Sequence, residues 1–259
     1  MNDHGWHKNE AARLMRNMRT LISLLFVLCH LMPVCLWAGE AADSPLPRSI
    51  EYKWMSIKAW NDKHERFVAR TKQGNVPLLF VGDSITEGWS GKGKATWEKN
   101  YTALGAVNYG IGGDTTQNIL WRMANGEAEG IAPKAIVLMI GTNNFGLSGH
   151  QPDDVVKGVT AVVNDLRARF PAAKILLLGI FPRDEKPGTN NRTRITTVNT
   201  AIAKLGDGKS VHYLDIGSRF LEADGTILKD IMPDFLHLSE TGYERWANAI
   251  REPLAALLK

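Results

Sequence analysis

Cysteine is nearly absent from this 259-residue chain, which contains only Cys29 and Cys35. Both lie within the first 38 residues, so the chain from residue 39 onward has no cysteine. That part of the chain cannot form a disulfide, and it offers neither a thiolate nucleophile nor a thiolate metal ligand. A disulfide-stapled scaffold and cysteine chemistry are therefore excluded.

The chain also lacks a strong excess of charge of one sign. Its 31 lysines and arginines face 27 aspartates and glutamates, a formal charge of +4. Removing residues 1–38 deletes four basic and two acidic residues and leaves +2. No basic stripe is present, so nucleic acid is not an expected partner. With 44% hydrophobic and 22% charged residues, the composition is that of an ordinary globular protein and excludes disordered, collagen-like and coiled-coil chains.

Residues 1–38 are predicted to be a secretory signal peptide. The basic head contains Lys8, Arg13, Arg16 and Arg19, a short apolar run follows over residues 21–29, and a stretch of small residues covers 38–42. These are the three parts of a signal peptide. His30 and Pro33 interrupt the apolar stretch, which favours a cleaved signal over a membrane anchor or a core helix. We expect cleavage after Ala38 or Ala41, a secreted or periplasmic product, and no stable membrane insertion afterwards.

From residue 51 onward, short apolar runs alternate with helical patterns. Strands followed by helices pair in parallel through right-handed crossovers, which predicts a three-layer α/β/α sandwich around a five-stranded parallel sheet. We expect a single domain over residues 51–259, preceded by a leader over residues 39–50 in which residues 43–49 are exposed. The predicted strands are 76–81, 106–109, 135–140, 174–178 and 211–214, and the predicted helices are 51–73, 96–104, 115–123, 152–170, 190–205 and 239–258.

Glycines and polar residues follow the predicted strands, where an open parallel sheet places its ligand crevice. Considered singly, each has a structural explanation. Ser84 could cap a helix, the glycines at 110–113 and Asn143 could form turns, and His237 could be a packed histidine. The four segments are residues 82–86, 110–114, 141–144 and 234–238.

Together, these segments meet the needs of acyl transfer by a serine. Ser84 would be the nucleophile, His237 the base, and Asp234 the carboxylate that orients the base. Asp234 and His237 are three residues apart, so one helical or 3₁₀ turn would put both on the same side. The oxyanion would bind the Ser84 N–H, an N–H of the glycine loop and the Asn143 amide. Histidine matters here because it is the most frequent base near neutral pH.

These motifs resemble the GDSL or SGNH hydrolases, and most closely the catalytic subunits of platelet-activating-factor acetylhydrolase. The family motifs are Gly82-Asp83-Ser84, residues 108–114, Asn143 and the pair Asp234 and His237. The likeness to the acetylhydrolase subunits extends over residues 80–84, 108–123, 137–144 and 234–238. The resemblance implies a flavodoxin-like fold, Gly113 as the glycine of the oxyanion site, and no metal or cofactor. It is also compatible with a homodimer.

The resemblance and the predicted export together imply a secreted serine esterase. Its substrate would be a small-molecule or carbohydrate ester with a short acyl group, acetyl above all. A lysophospholipase or thioesterase of the same family stays open, because the sequence does not reveal the depth of the pocket. A classical α/β-hydrolase is disfavoured, because Thr86 stands where the motif Gly-x-Ser-x-Gly requires glycine. A dinucleotide-binding site is disfavoured, because Thr115 stands where the motif Gly-x-Gly-x-x-Gly requires its last glycine.

Other residues near these motifs receive structural as well as functional interpretations. Asp83 is a possible pocket residue, and it is expected to be a hydrogen-bonding partner beside the nucleophile rather than an acid. Trp121 and Arg122 could line the pocket or pack a helix, and Trp89 and Trp97 could be core residues or sugar platforms. His64, His150 and His212 have no carboxylate at a fitting spacing in a strand-end motif, so they receive no role.

Overall fold

A sheet of five parallel strands organises the described part of the chain, residues 40–259 of a computed structural model. The predicted signal peptide, residues 1–38, lies outside the described residues. The predicted strands are confirmed, with ends that differ by at most two residues. They are β1 (Leu78–Gly82), β2 (Ala106–Gly110), β3 (Ala135–Met139), β4 (Lys174–Leu178) and β5 (Val211–Leu214).

The spatial order of the strands, β2-β1-β3-β4-β5, creates a switch point. The chain leaves β1 for one edge of the sheet, forms β2, and then crosses back over β1 to form β3. In such sheets the crevice for a ligand lies at the carboxyl ends of the strands that flank the switch. The segments that follow β1, β2 and β3 therefore lie together at the carboxyl ends of these strands.

Helices cover both faces of the sheet, so the predicted three-layer α/β/α architecture is confirmed. The helices α1, α4, α6 and α7 pack on one face, and α2, α3 and α8 on the other. Within residues 40–259 the helices are α1 (Ile57–Thr71), α2 (Ser84–Glu87), α3 (Lys94–Asn100), α4 (Thr116–Arg122), α5 (Thr142–Gly146), α6 (Pro152–Arg169), α7 (Asn190–Ile202) and α8 (Glu240–Leu257).

Each face of the sheet buries its own apolar cluster. Side chains of a strand point alternately to opposite faces, so Leu79 and Val81 of β1 join one cluster while Leu78 and Phe80 join the other. Both β1 and β3 are buried along their whole length. This explains why their sequences are continuous apolar runs rather than alternating ones.

The first helix is shorter than its sequence pattern predicts. It begins at Ile57 rather than near residue 51, because the Ser56 hydroxyl accepts a hydrogen bond from the Ala59 N–H at 3.0 Å and caps the helix there. Before the cap, Tyr52 and Met55 form a tight turn closed by two backbone hydrogen bonds of 3.1 Å. The spacing of Trp54 from the residues after it predicted that Trp54 belongs to the helix, and this prediction is wrong.

The predicted exposed leader is docked on the rest of the molecule. Arg48 is only 6% exposed, and its guanidinium donates to the Gly112 carbonyl at 2.8 Å. The Leu46 N–H donates to the Gln117 carbonyl at 3.1 Å. The prediction of an exposed segment is wrong at Arg48, because a buried carboxylate, Asp114, lies within 3.4 Å of its guanidinium.

Of the helices in residues 40–259, none is both long and apolar enough to cross a membrane.

Candidate active site

Three side chains from distant parts of the sequence form one chain of hydrogen bonds. Ser84 Oγ lies 2.9 Å from Nε2 of His237. The other ring nitrogen, Nδ1, lies 2.6 Å from Oδ2 of Asp234. An imidazole held between a hydroxyl and a carboxylate has the proton on Nδ1 and a free lone pair on Nε2. The arrangement can withdraw a proton from the Ser84 hydroxyl.

A turn, and not the predicted helical or 3₁₀ turn, brings Asp234 and His237 together. Asp234 Oδ1 accepts the N–H groups of Leu236 at 3.1 Å and His237 at 2.7 Å, which is the pattern of an Asx turn. Phe235 has a φ of +58°, in the left-handed region that bulky residues rarely adopt. Its carbonyl accepts the Asp184 N–H at 2.9 Å, which holds this conformation in place.

The carboxylate of Asp234 stays ionised in this turn. Partial burial would raise the pKa of Asp234, but hydrogen bonds from the His237 side chain and backbone outweigh burial and lower the pKa below its usual value. The charged carboxylate can therefore stabilise an imidazolium when His237 takes up a proton.

Ser84 is the first residue of helix α2, directly after β1. Asp83 caps this helix, since its Oδ1 accepts the Ile85 N–H at 2.9 Å. The sequence offered Ser84 as a cap, but that role falls to Asp83. In residues 40–259 the Ser84 N–H has no backbone or side-chain acceptor, as expected for the first turn of a helix. It is available to an oxyanion that forms next to the hydroxyl.

The glycine loop after β2 is bound firmly to α2. Gly112 donates its N–H to Glu87 Oε2 at 2.6 Å, and Glu87 in turn pairs with Lys63. Gly113 has a φ of +74°, and a Cβ there would come within 2.3 Å of the Trp54 ring. Glycine is required at this position on both counts. In the described residues the Gly113 N–H has no acceptor, so it remains available as a donor.

Asn143 connects the loop after β3 to the glycine loop. Its Nδ2 donates to the Asp114 carbonyl at 3.0 Å, and the side chain is partly exposed. The predicted oxyanion donors, Ser84, Gly113 and Asn143, therefore belong to three segments that contact one another at the carboxyl ends of adjacent strands.

A buried network of charges lies beneath the glycine loop. Arg122 is fully buried, and its guanidinium binds Asp114 at 2.8 Å and also binds Glu127. Asp114 accepts the indole N–H of Trp60 at 2.6 Å as well. Burial raises the pKa of Asp114 to about 6, and the nearby guanidiniums and the Trp60 N–H oppose that rise. The network ties the loop to helices α1 and α4.

Two of the three predicted pocket residues prove to be structural. Asp83 and Arg122 are both completely buried, so neither lines a pocket. Trp121 is partly buried and packs on Trp60, with ring centroids 5.5 Å apart, and on His64. The pocket interpretation is wrong for Asp83 and Arg122, because their polar atoms face the interior.

The structure also resolves the roles of several aromatic and polar residues. Trp89 is 1% exposed in the core, and Trp97 packs against the same cluster. Trp89 is therefore a core residue and not a sugar platform, and the partly buried Trp97 packs on it with ring centroids 5.9 Å apart. His64 binds Glu127 at 2.8 Å, and His150 contacts Asn144 at 3.2 Å. Sequence reasoning missed Arg48 and Glu127, because nothing in their local pattern shows that they are buried.

No three histidine, cysteine or acidic side chains in residues 40–259 are grouped in a way that could hold a metal ion. The groups that converge on Ser84 are donors and a proton acceptor, the set that ester cleavage by a serine requires. The fold and this site define an α/β hydrolytic enzyme with a serine at the end of its first strand.

Comparison with known proteins identifies the family. The sequence model of the GDSL-like lipase/acylhydrolase family matches residues 80–245. A platelet-activating factor acetylhydrolase IB subunit alpha2 from Rattus norvegicus is 38% identical over 221 residues, which is 85% of this chain and 94% of the relative. The chain belongs to the GDSL-like lipase/acylhydrolase family and is a carboxylic ester hydrolase.

Solved structures share the fold. A protein from Streptococcus pneumonia, described as a putative platelet activating factor, has a TM-score of 0.61 at 22% identity and covers 76% of this chain and 96% of its own. An acetyl-xylooligosaccharide esterase from Geobacillus has a TM-score of 0.55 at 20% identity and covers 68% of this chain and 92% of its own. Both support the SGNH fold assignment.

Proposed function

We propose that this esterase hydrolyses short-chain esters, acetyl esters above all, through an acyl-enzyme on Ser84. One observation carries the proposal: the unbroken hydrogen-bond chain from Ser84 through His237 to Asp234. An acetyl group is supported by relatives at 38% identity that are described as acetylhydrolases. The predicted export supports a substrate outside the cytoplasm, and we propose an O-acetylated carbohydrate.

The mechanism follows from the order of these groups. The Ser84 oxygen attacks the ester carbonyl carbon while Nε2 of His237 takes the hydroxyl proton, and Asp234 stabilises the resulting imidazolium. The N–H groups of Ser84 and Gly113 and the amide of Asn143 bind the oxyanion. When the carbon–oxygen bond of the substrate breaks, His237 gives its proton to the departing alcohol. Water then attacks the acyl-enzyme by the same steps and releases the acid.

Replacing the nucleophile tests the proposal. We expect Ser84→Ala to abolish turnover of 4-nitrophenyl acetate, because among residues 40–259 no other hydroxyl is held against His237 Nε2. The matched control is Ser218→Ala, which changes an exposed serine outside the site and should keep full activity. Circular dichroism should show both variants folded. Turnover by folded Ser84→Ala at the parent rate would refute the assignment of the nucleophile.

The acyl specificity is tested by a series of 4-nitrophenyl esters from acetyl to palmitoyl, with and without EDTA. We expect kcat/KM to be highest for acetyl and to fall with chain length, with no effect of the chelator. A maximum at long chains would instead support a lysophospholipase or thioesterase. Inhibition by the chelator would contradict the serine mechanism.

A further inference from the structure

An exposed aromatic ring borders the glycine loop. Among the described residues Trp54 is the most exposed large apolar side chain, at 56%. A Cβ at Gly113 would lie only 2.3 Å from the ring atom Cη2, and one at Gly112 would lie 3.7 Å from Cζ3. The edge of the indole is therefore in contact with the loop that carries a proposed oxyanion donor. Trp54 precedes residues 80–245, the part matched by the family.

The ring is held in one position by its neighbours. Tyr52 and Trp54 stack with their centroids 4.7 Å apart and their planes 6° from parallel. The turn that bears them is closed by hydrogen bonds between Tyr52 and Met55. A ring fixed before the ligand arrives loses little freedom on binding. An exposed, preorganised aromatic face next to catalytic groups is suited to hold a substrate.

The charge beneath the rings selects the kind of ligand. The Arg48 guanidinium lies 5.3 Å from the Tyr52 centroid and 5.7 Å from the Trp54 centroid. Both distances are within the ~6 Å range of cation–π contacts, and the Arg48 Nη1 is buried without a hydrogen-bond acceptor in the described residues. A second cation would have to compete with Arg48 for the same rings. A neutral ring with an apolar face, such as a pyranose, meets no such penalty.

We propose that Trp54, stacked on Tyr52, forms a subsite for the neutral sugar ring that carries the ester. This proposal rests on the proposed function, since it places the alcohol part of the substrate on the indole while the ester carbonyl lies at Ser84. The part of the site that binds the sugar is then formed by a segment that precedes β1.

The test compares two substrates in one variant. Trp54→Ala should lower the ratio of kcat/KM for acetylated xylo-oligosaccharide to kcat/KM for 4-nitrophenyl acetate about 3- to 10-fold, mainly through KM, because only the first substrate has a sugar to stack. Trp54→Phe should restore most of the ratio, which a merely structural role of the indole would not require. Leu104→Ala is the matched control, because Leu104 is also exposed but lies before β2.

Each other outcome has a defined meaning. An unchanged ratio in Trp54→Ala, or inhibition by phosphocholine that depends on Trp54, would overturn the sugar subsite and leave the esterase proposal intact. Hydrolysis of 4-nitrophenyl acetate but not of acetylated sugars by the parent enzyme would overturn the subsite and the carbohydrate substrate together. Failure of the parent on every ester would refute the proposed function itself.

Discussion

Ser84 and His237 are 153 positions apart in the sequence, yet Oγ and Nε2 are 2.9 Å apart in space. The serine stands at the end of a buried strand and the histidine in a turn that Asp234 shapes with three hydrogen bonds. The hydrogen bond between the two side chains is therefore formed before a substrate binds. Such alignment lowers the reorganisation that the reaction requires.

Asn143 provides a test of the oxyanion site at the residue scale. We expect Asn143→Ala to lower kcat by a factor of ~10²–10³, as for other oxyanion donors, with little change in the free energy of unfolding because the side chain is partly exposed. Steady-state kinetics with 4-nitrophenyl acetate and urea unfolding measure the two effects. Asn248→Ala, at an exposed position on α8, is the control. An unchanged kcat would remove Asn143 from the site.

Asp83 provides a pH-dependent test. Burial raises its pKa to about 7, whereas an unfolded chain releases the proton near pH ~4. Between these values the folded state binds more protons, so the free energy of unfolding falls as the pH rises. The side chain in Asp83→Asn cannot ionise, so the free energy of unfolding of this variant should not show this decrease with pH. Urea unfolding at pH 5 and pH 8 should therefore show the variant gaining stability relative to the parent at pH 8.

Asp207 should make the free energy of unfolding depend on pH in the opposite direction. Three backbone N–H groups bind its carboxylate and lower its pKa to about 2. Its stabilising effect is present above pH ~4 and is lost as the pH falls toward 2. Asp207→Asn is therefore the control for Asp83→Asn, because it should lower stability by a constant amount between pH 5 and pH 8. Parallel curves for both variants would contradict the assignment of the pH effect to Asp83.

At the scale of elements, buried charges join the catalytic loops to the helices. Arg122 of α4 is bound to Asp114 in the glycine loop and to Glu127 after α4, and all three are completely buried. Such a network specifies the position of the loop more than it stabilises the fold, because desolvation offsets much of the attraction. Without Arg122, Asp114 would keep, within the described part of the chain, only Arg48 at 3.4 Å and the Trp60 N–H, and Glu127 would keep only His64, so both buried carboxylates would lose their main counter-charge.

We therefore expect Arg122→Met to lower the free energy of unfolding by about 3–5 kcal/mol and to lower kcat by displacing the Gly113 N–H. Urea unfolding and acetate-ester kinetics measure both. Lys94→Met is the control, since its pair with Glu98 is exposed on both sides and exposed pairs contribute about 0–1 kcal/mol. Equal stability of the two variants would show that the network is not important for the fold.

Asn144 shows why an amide follows Asn143. Its oxygen accepts the Thr116 N–H at 3.1 Å, and its nitrogen donates to the Thr116 hydroxyl at 2.8 Å. That hydroxyl already donates to the Ala42 carbonyl at 2.6 Å, so it needs a donor as a partner. An amide supplies both a donor and an acceptor, whereas a carboxylate supplies only acceptors. The pair joins α5 to α4 and to the N-terminal segment.

At the scale of the whole molecule, the segment before the first helix completes the site. Ala42, Leu46 and Arg48 contact α4 and the glycine loop through backbone and side-chain hydrogen bonds. We propose that cleavage of the predicted signal after Ala38 yields the working enzyme, because Glu40 is then retained and its carbonyl lies 2.9 Å from His150 Nε2. Intact mass of exported protein tests this proposal.

Truncation tests the segment itself. A chain that begins at residue 50 should unfold with about 2–4 kcal/mol less free energy than one that begins at residue 39, since it loses several buried hydrogen bonds of ~1 kcal/mol each. It should also lose activity, because the Gly112 carbonyl loses its bond to Arg48. Equal stability and activity of the two chains would contradict the docking of residues 40–49.

Much of the architecture follows directly from the sequence. The apolar runs predict all five strands, and the residues that follow them predict that Ser84, Gly113 and Asn143 share one edge of the sheet. Both inferences rest on local information, namely the length and hydrophobicity of a run and the rule that parallel strands end on the same side. The short helices α2 and α5 do not follow, because four or five residues carry no helical period.

Other features of the molecule arise only when the chain is folded. The turn that brings Asp234 to His237 depends on a left-handed Phe235 whose carbonyl binds a backbone group about fifty positions away. Arg48 is buried because Asp114, 66 positions later, lies beside it. Trp54 lies outside the first helix because that helix begins at Ile57, after the Ser56 cap. Burial and exposure of such residues depend on partners distant in sequence, and these contacts exist only in the tertiary structure.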